Sequence, residues 1–195
     1  MNRKQYTLTF SFILVAISVL GQTPIIEALT QKVYGARNDR DKLSAYITLA
    51  DEYQSLYRDS LDKYAPEIVT LAEKSNDPIA KAGGYLAFAN YYNRWGWADS
   101  AIFFIEKSLQ TISSIKATSL DLYFKIERSK ALTLGSRLRY AEALEVLYKI
   151  LPEAEKYGDA KSLGLICNTI GSISIGRQQS EESLQWINRA ITLSK

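Results

Sequence analysis

The chain of 195 residues is 47% hydrophobic and 23% charged, with sparse Pro and Gly, so it can build a core and lacks the composition of a disordered chain. Its net charge is +3 and no Lys/Arg run exceeds two residues, which argues against a nucleic-acid partner. His is absent and Cys occurs once, which removes the commonest general base, a phosphoacceptor histidine and any cysteine-pair metal site.

Residues 1–21 read apart from the rest. "MNRKQY" carries Arg3 and Lys4 and no acid, and "TLTFSFILVAISVLG" carries no charge. A basic start, a short apolar stretch and the residues Val19 and Gly21 are the parts of a secretory signal peptide, with cleavage expected after Gly21 and an uncleaved N-terminal anchor as the alternative. The apolar run of about 13 residues falls short of the roughly 20 that a membrane span needs. No Cys stands at the cleavage point to carry a lipid. The expected address is the periplasm or envelope of a Gram-negative bacterium. Cys167 lies in an apolar helical run and reads as a small buried hydrophobe.

Residues 22–40 are a lead segment. After residue 40 the chain repeats itself. Leu61, Ala101, Ala143 and Ser183 open four similar stretches, at spacings of 40, 42 and 40. Seven residues further on stand Ile68, Ser108, Ile150 and Ala190, and Ala89, Ala131 and Gly171 lie twelve before three of the markers. In the first unit Ala50 lies eleven before Leu61, one residue short. A fixed period of this kind signals a stacked helical array. The expected units are 41–78, 79–118, 119–159 and 160–195.

The stretch "YLAFANYYNRWGWADSAIFFIEKSL", Tyr85 to Leu109, shows the physics of one unit. Tyr85, Phe88, Ala89 and Tyr92 mark one face of a first helix. Gly96 ends it in a left-handed residue, and Asp99 or Ser100 is placed to cap the next helix. Ala101, Phe104, Ile105, Ser108 and Leu109 mark the buried face of that second helix. Small Ala89 and Ala101 let the two helices cross closely, and Tyr92, Trp97 and Phe104 fill the space beside the crossing. Pro66 and Pro152 should bend or restart the second helices they fall in, and Asp77–Pro78 should end a unit.

This pattern resembles the tetratricopeptide repeat (TPR) in a long variant. The second unit carries the family's marks at Tyr85, Phe88, Ala89, Tyr92, Gly96, Ala101, Ile105 and Ser108. The fourth carries Cys167, Ile170, Gly171, Ser183, Ile187 and Ala190, with polar Ser174 where an aromatic is usual. The third carries Ala131, Leu134, Ala143, Leu147 and Ile150, with Glu127 and Lys130 at two usually apolar places. The first carries Tyr46, Leu49, Ala50 and Tyr53, then Leu61, Ala65 and Ile68 after the slip. The resemblance implies an all-α, right-handed solenoid of antiparallel helix pairs that binds a peptide or protein and does no chemistry. Exported long repeats of this type resemble the sensory front halves of membrane-bound bacterial signalling proteins of the Bacteroidota kind. A structural envelope assembly factor and an accessory subunit of an enzyme complex are the alternatives.

A catalyst is not legible. "KAGGYLAF" lacks the spacing of a phosphate loop, and adjacent Asp51 and Glu52 point apart on a helix. No metal or other cofactor is expected. A stacked array offers a concave surface instead. First helices line it in the resembled family, so the inward residues would be Asp51, Gln54, Asn90, Asn93, Arg94, Lys125, Arg128, Ser129, Asn168, Thr169 and Ser172. Amides with guanidinium groups suit a peptide backbone and a carboxylate. The last helix ends with Trp186, Ile187, Ala190, Ile191 and Leu193 still apolar, with no polar closing helix. That ending is expected of a piece of a longer protein, or of a chain that pairs or dimerises there. Any membrane contact would come through the signal segment or that missing part.

Overall fold

The computed structural model describes residues 24–53 and 62–194. Among them there is no β-strand. The helices are α1 (24–34), α2 (Asp39–Tyr53), α3 (Ala65–Lys74), α4 (Pro78–Arg94), α5 (Ala98–Ile112), α6 (Leu120–Ser136), α7 (Tyr140–Tyr157), α8 (Ala160–Gly176) and α9 (Ser180–Leu193), with a 3-10 turn at Ser113–Thr118 between α5 and α6. Neighbours in sequence pack as pairs, α4 on α5, α6 on α7 and α8 on α9. The chain is an all-α solenoid.

Local chemistry sets the boundaries. Asp77 caps α4, its carboxylate accepting from the backbone N–H of Ile79 at 2.9 Å and of Ala80 at 3.3 Å, and Pro78 takes the first helical position, where no N–H is needed. Asp159 caps α8 in the same way through the Ser162 N–H at 2.6 Å. Pro66 restarts its helix: α3 begins at Ala65, after a turn at 62–64. Leu61, its expected marker, and the one-residue slip lie outside the described residues. Pro152 sits inside α7, which runs on through it at the loss of one backbone hydrogen bond. The lead segment supplies α1, which sequence periodicity did not single out. Its Leu29 and Val33 are buried with Leu43, Tyr46 and Leu49 of α2.

The crossings are built as the small residues require. Ala89, Ala101, Ala131 and Ala143 are each 0% exposed. The fourth crossing is tighter still. A Cβ on Gly171 would stand 2.7 Å from Ile187 Cγ1, and the Ser183 hydroxyl donates to the Gly171 carbonyl at 2.8 Å. Beside the second crossing Phe104 packs edge-on to Phe88 with centroids 4.7 Å apart and stacks on Tyr92. Trp97 touches Tyr92 but is 55% exposed, so it sits on the rim of that cluster rather than filling it. The two misfit charges of the third unit have local explanations. Lys130 donates to Glu106 of α5 at 2.8 Å, and half-buried Glu127 is pushed above the ordinary carboxylate range by burial.

Three turns share one conformation. Gly96, Leu138 and Gln178 have φ of 77°, 60° and 63°. In each, the next residue's N–H bonds five positions back: Trp97 to Tyr92, Arg139 to Leu134 and Gln179 to Ser174, all at 3.0 Å. That is the Schellman closure of a helix. Neither Asp99 nor Ser100 caps α5. Trp97 stands at that position without a side-chain cap, and Asp99 lies in the first turn, where the helix dipole favours an acid.

Replacing Ala101 or Ala143 with Leu should overpack a crossing and lower unfolding stability by about 1–3 kcal/mol in urea titrations. Unchanged midpoints in both variants would contradict the close crossings. Gly96→Ala meets no atom within 4 Å, so its cost isolates the backbone conformation. It should lower stability by about 1 kcal/mol, whereas Leu138→Asn, better suited to positive φ, should raise it by a few tenths.

Candidate interaction groove

The direction of curvature follows from which helices touch. First helices meet in succession, α2 with α4, α4 with α6 and α6 with α8. Among the described residues no backbone-level contact joins successive second helices. They reach each other by long side chains, as in Glu73 to Lys107 at 3.2 Å, Glu155 to Arg189 at 2.7 Å and Tyr148 to Glu182 at 2.6 Å. A row held closer on one side bends toward that side, so α2, α4, α6 and α8 form the inner, concave layer.

The inner layer gathers charge from three helices. Asp51 of α2 feels Lys125 and Arg128 of α6 and Lys161 of α8. Asp51 keeps solvent-accessible surface, yet the surrounding helices crowd it, and this burial raises its pKa against the pull of Lys125 and Arg128. Half-buried Arg128 shows the mirror effect: burial lowers its pKa and Asp51 opposes the shift. It stays charged at any working pH. Lys125 is shared with Asp121 on its own helix at 2.9 Å. Lys161 was not among the inward residues counted from the sequence. Its signal was its place one turn before Leu165, which occupies the position of Lys125 one unit on.

The other candidates divide. Asn90 accepts from the Ser129 hydroxyl at 2.6 Å, stitching α4 to α6. Ser129 and Thr169 are 5% and 3% exposed and sit where first helices touch, so they do not line the open face. Their helix position belongs to Ala87 in the second unit, likewise buried. Thr169 closes on the Leu165 carbonyl at 2.8 Å. Exposed Ser172 bonds back to the Asn168 carbonyl at 2.9 Å. Asn168 is exposed on the last described helix pair, beside Lys161 and Gly164. Arg94 and Asn93 are half-buried at the end of α4; Arg94 is engaged within the fold, and the buried Asn93 Oδ1 has no donor among the described residues. Gln54 lies outside the described residues. Exposed Leu132 was missed: it occupies on α6 the place that Asn90 and Ser172 take on their helices, and it puts an apolar step in a polar wall.

This face is an open trough rather than a cavity. The space between α6 and α8 beside Arg128 is about 10 Å³. Among the described residues no group of three His, Cys, Asp or Glu could hold a metal, and no helix is long and apolar enough to cross a membrane.

No protein-family model matches the chain, and no curated protein matches it in sequence. Solved structures do. The crystal structure of BtubC (BKLC) from P. vanneervenii superposes with a TM-score of 0.67 at 18% identity, covering 88% of this chain and 73% of that one. The TPR-like repeats of a putative kinesin light chain from P. anserina superpose with a TM-score of 0.57 at 15% identity, covering 98% of this chain and 94% of that one. The fold of this chain is that of a TPR-like helical-repeat solenoid.

Proposed function

We propose that the chain is a non-catalytic protein-interaction scaffold whose inner face binds an acidic peptide segment of a partner. The observation that carries this reading is the convergence of Lys125, Arg128 and Lys161 from two helices on one open stretch of the inner layer, with Asp51 of a third as their counter-charge. A guanidinium in a crowded site binds a carboxylate through two parallel N–H···O bonds, stronger than bonds between neutral groups. An open trough without a deep cavity suits an extended chain better than a small molecule. The TPR-like fold of the solved neighbours, one of them a putative kinesin light chain, is consistent with a scaffold. With the signal-like residues 1–21, the role we infer is the extracytoplasmic sensory or interaction part of a bacterial signalling protein.

In this reading Asp51 is the internal competitor of the ligand. An acidic peptide recovered with its protein by pull-down should bind the Arg128→Ala variant roughly ten- to a hundredfold more weakly. Asp51→Asn should bind it more tightly. Lys149 on the outer side is exposed and serves as the control, whereas Lys107 does not, because it is held by Glu73 and lies over the rings of Tyr85, Phe103 and Phe104. If Lys149→Ala weakens binding and Arg128→Ala does not, the inner face is not the site. The pH dependence has a definite sign. Asp51 has a raised pKa, so as pH falls it loses its charge before an ordinary ligand carboxylate near pH 4 does. Affinity should therefore rise on mild acidification before it falls, and Asp51→Asn should abolish the rise in titration calorimetry.

A further inference from the structure

The three described seams between successive units are not built alike. Lys107, Lys149 and Arg189 stand at one repeat position on the second helices, and each faces the same position of its first helix. Lys107 lies 5.1 Å over the ring of Tyr85, Lys149 acts on the Glu127 carboxylate, and Arg189 acts on the Cys167 thiol. In two seams a glutamate of the preceding second helix holds that cation, Glu73 for Lys107 and Glu155 for Arg189. In the middle seam Ser113 takes the glutamate's place. Its hydroxyl donates to the Gln110 carbonyl at 2.8 Å, and Lys149 makes no ion pair among the described residues.

The apolar bridge across the outer side fails at the same seam. Phe104 packs onto the core of the first unit, and Trp186 packs onto that of the third. Val146, their counterpart on α7, joins the core of α6–α9 but not that of the second unit. Glu127 and Lys130 stand there in place of Tyr85 and Phe88. Ion pairs do cross this seam: Glu106 with Lys130, Lys116 with Glu153, and Asp99 with Arg137. Every group in them is at least one-quarter exposed, and such pairs are weak. Among the described residues none joins α5 to α7 directly. On the inner side the seam stays apolar, where Ile126 of α6, 0% exposed, packs with Ala82 and Leu86 of α4 and Ile105 of α5.

We propose that the middle seam is a hinge: α1–α5 and α6–α9 rock as two bodies about the apolar contact at Ile126, while the outer gap between α5 and α7 opens and closes. A pivot that stays packed beside a side held only by exposed charges is the arrangement a hinge needs. Asp51 rides on the first body, and Lys125, Arg128 and Lys161 ride on the second. The rocking therefore narrows and widens the inner trough. Only its use as a clamp on an acidic segment rests on the inner-face reading; the hinge itself does not.

The test supplies the strut that the seam lacks. Ser113 is exposed, so Ser113→Glu enters without repacking. Spin labels at Thr70 of α3 and Gln185 of α9, both exposed, report the span of the full chain by double electron–electron resonance in a Cys167→Ala background. No ligand is added, so the result stands apart from the inner-face reading. The distance distribution should be broad in the parent and should narrow in Ser113→Glu. Adding Lys149→Ala to Ser113→Glu removes the strut's partner and should restore the parent's breadth. Glu155→Ser removes a strut from a seam that keeps its apolar bridge through Trp186, and should leave the breadth near the parent's. A parent distribution that Ser113→Glu does not narrow would overturn the hinge. So would a narrowing that survives Lys149→Ala, because the glutamate would then act without the seam. A broadening by Glu155→Ser as large as the narrowing by Ser113→Glu would show that the seams flex alike, and would overturn it too.

Discussion

The whole array rests on how closely two backbones can approach at each helix crossing. Ala89 and Ala101, Ala131 and Ala143, and Gly171 and Ser183 are the small residues of the three described helix pairs, and the five that have a side chain are no more than 2% exposed. A methyl-sized contact brings helix axes to the short end of their usual 8–10 Å separation. Everything wider, including the aromatic cluster of Phe88, Tyr92 and Phe104, is packed in the wedge beside that contact. The progression from Ala–Ala to Gly–Ser is chemically informative. When the fourth unit gives up a Cβ, a hydroxyl-to-carbonyl bond takes over part of the cohesion that methyl packing supplies in the earlier units.

Curvature and electrostatics are coupled through that geometry. Because first helices touch and second helices do not, charges two helices apart on the inner side act on one another. Asp51 and Arg128 shift each other's ionisation although α4 lies between their helices. On the outer side the same separation leaves charges to pair singly across each seam. The two faces therefore differ in kind: inside, a shared and partly desolvated field, and outside, discrete ion pairs in water.

The helical period, the crossings and the Gly96 turn were legible in the sequence because each depends on side-chain size or on glycine at a fixed spacing. The turns at Leu138 and Gln178 were not, since their residues do not advertise positive φ; only their registry with Gly96 does. Helix α1 was passed over because it lies before the repeat and has no copy to be compared with. In the groove, Asp51, Lys125 and Arg128 were legible as inward positions. Ser129 and Thr169 were assigned inward by counting from the matched repeat positions of the first helices, whereas their own place in the repeat, shared with Ala87, belongs to the seam. Lys161 escaped for the opposite reason: its inward aim depends on α8 starting as early as Ala160, which Asp159 fixes by capping.

The outer ion pairs have a mechanical consequence. Glu73–Lys107 and Glu155–Arg189 bridge second helices whose backbones do not touch, and their groups are all at least one-third exposed. Such pairs are weak and screened by salt. The inner seams, by contrast, are held by direct helix contact and by bonds such as that from the Ser129 hydroxyl to Asn90, which salt screens less. The array thus has a stiff spine on one side and tunable struts on the other, like a leaf spring whose outer links slacken as ionic strength rises. Raising ionic strength therefore weakens the outer side of the array before the inner side.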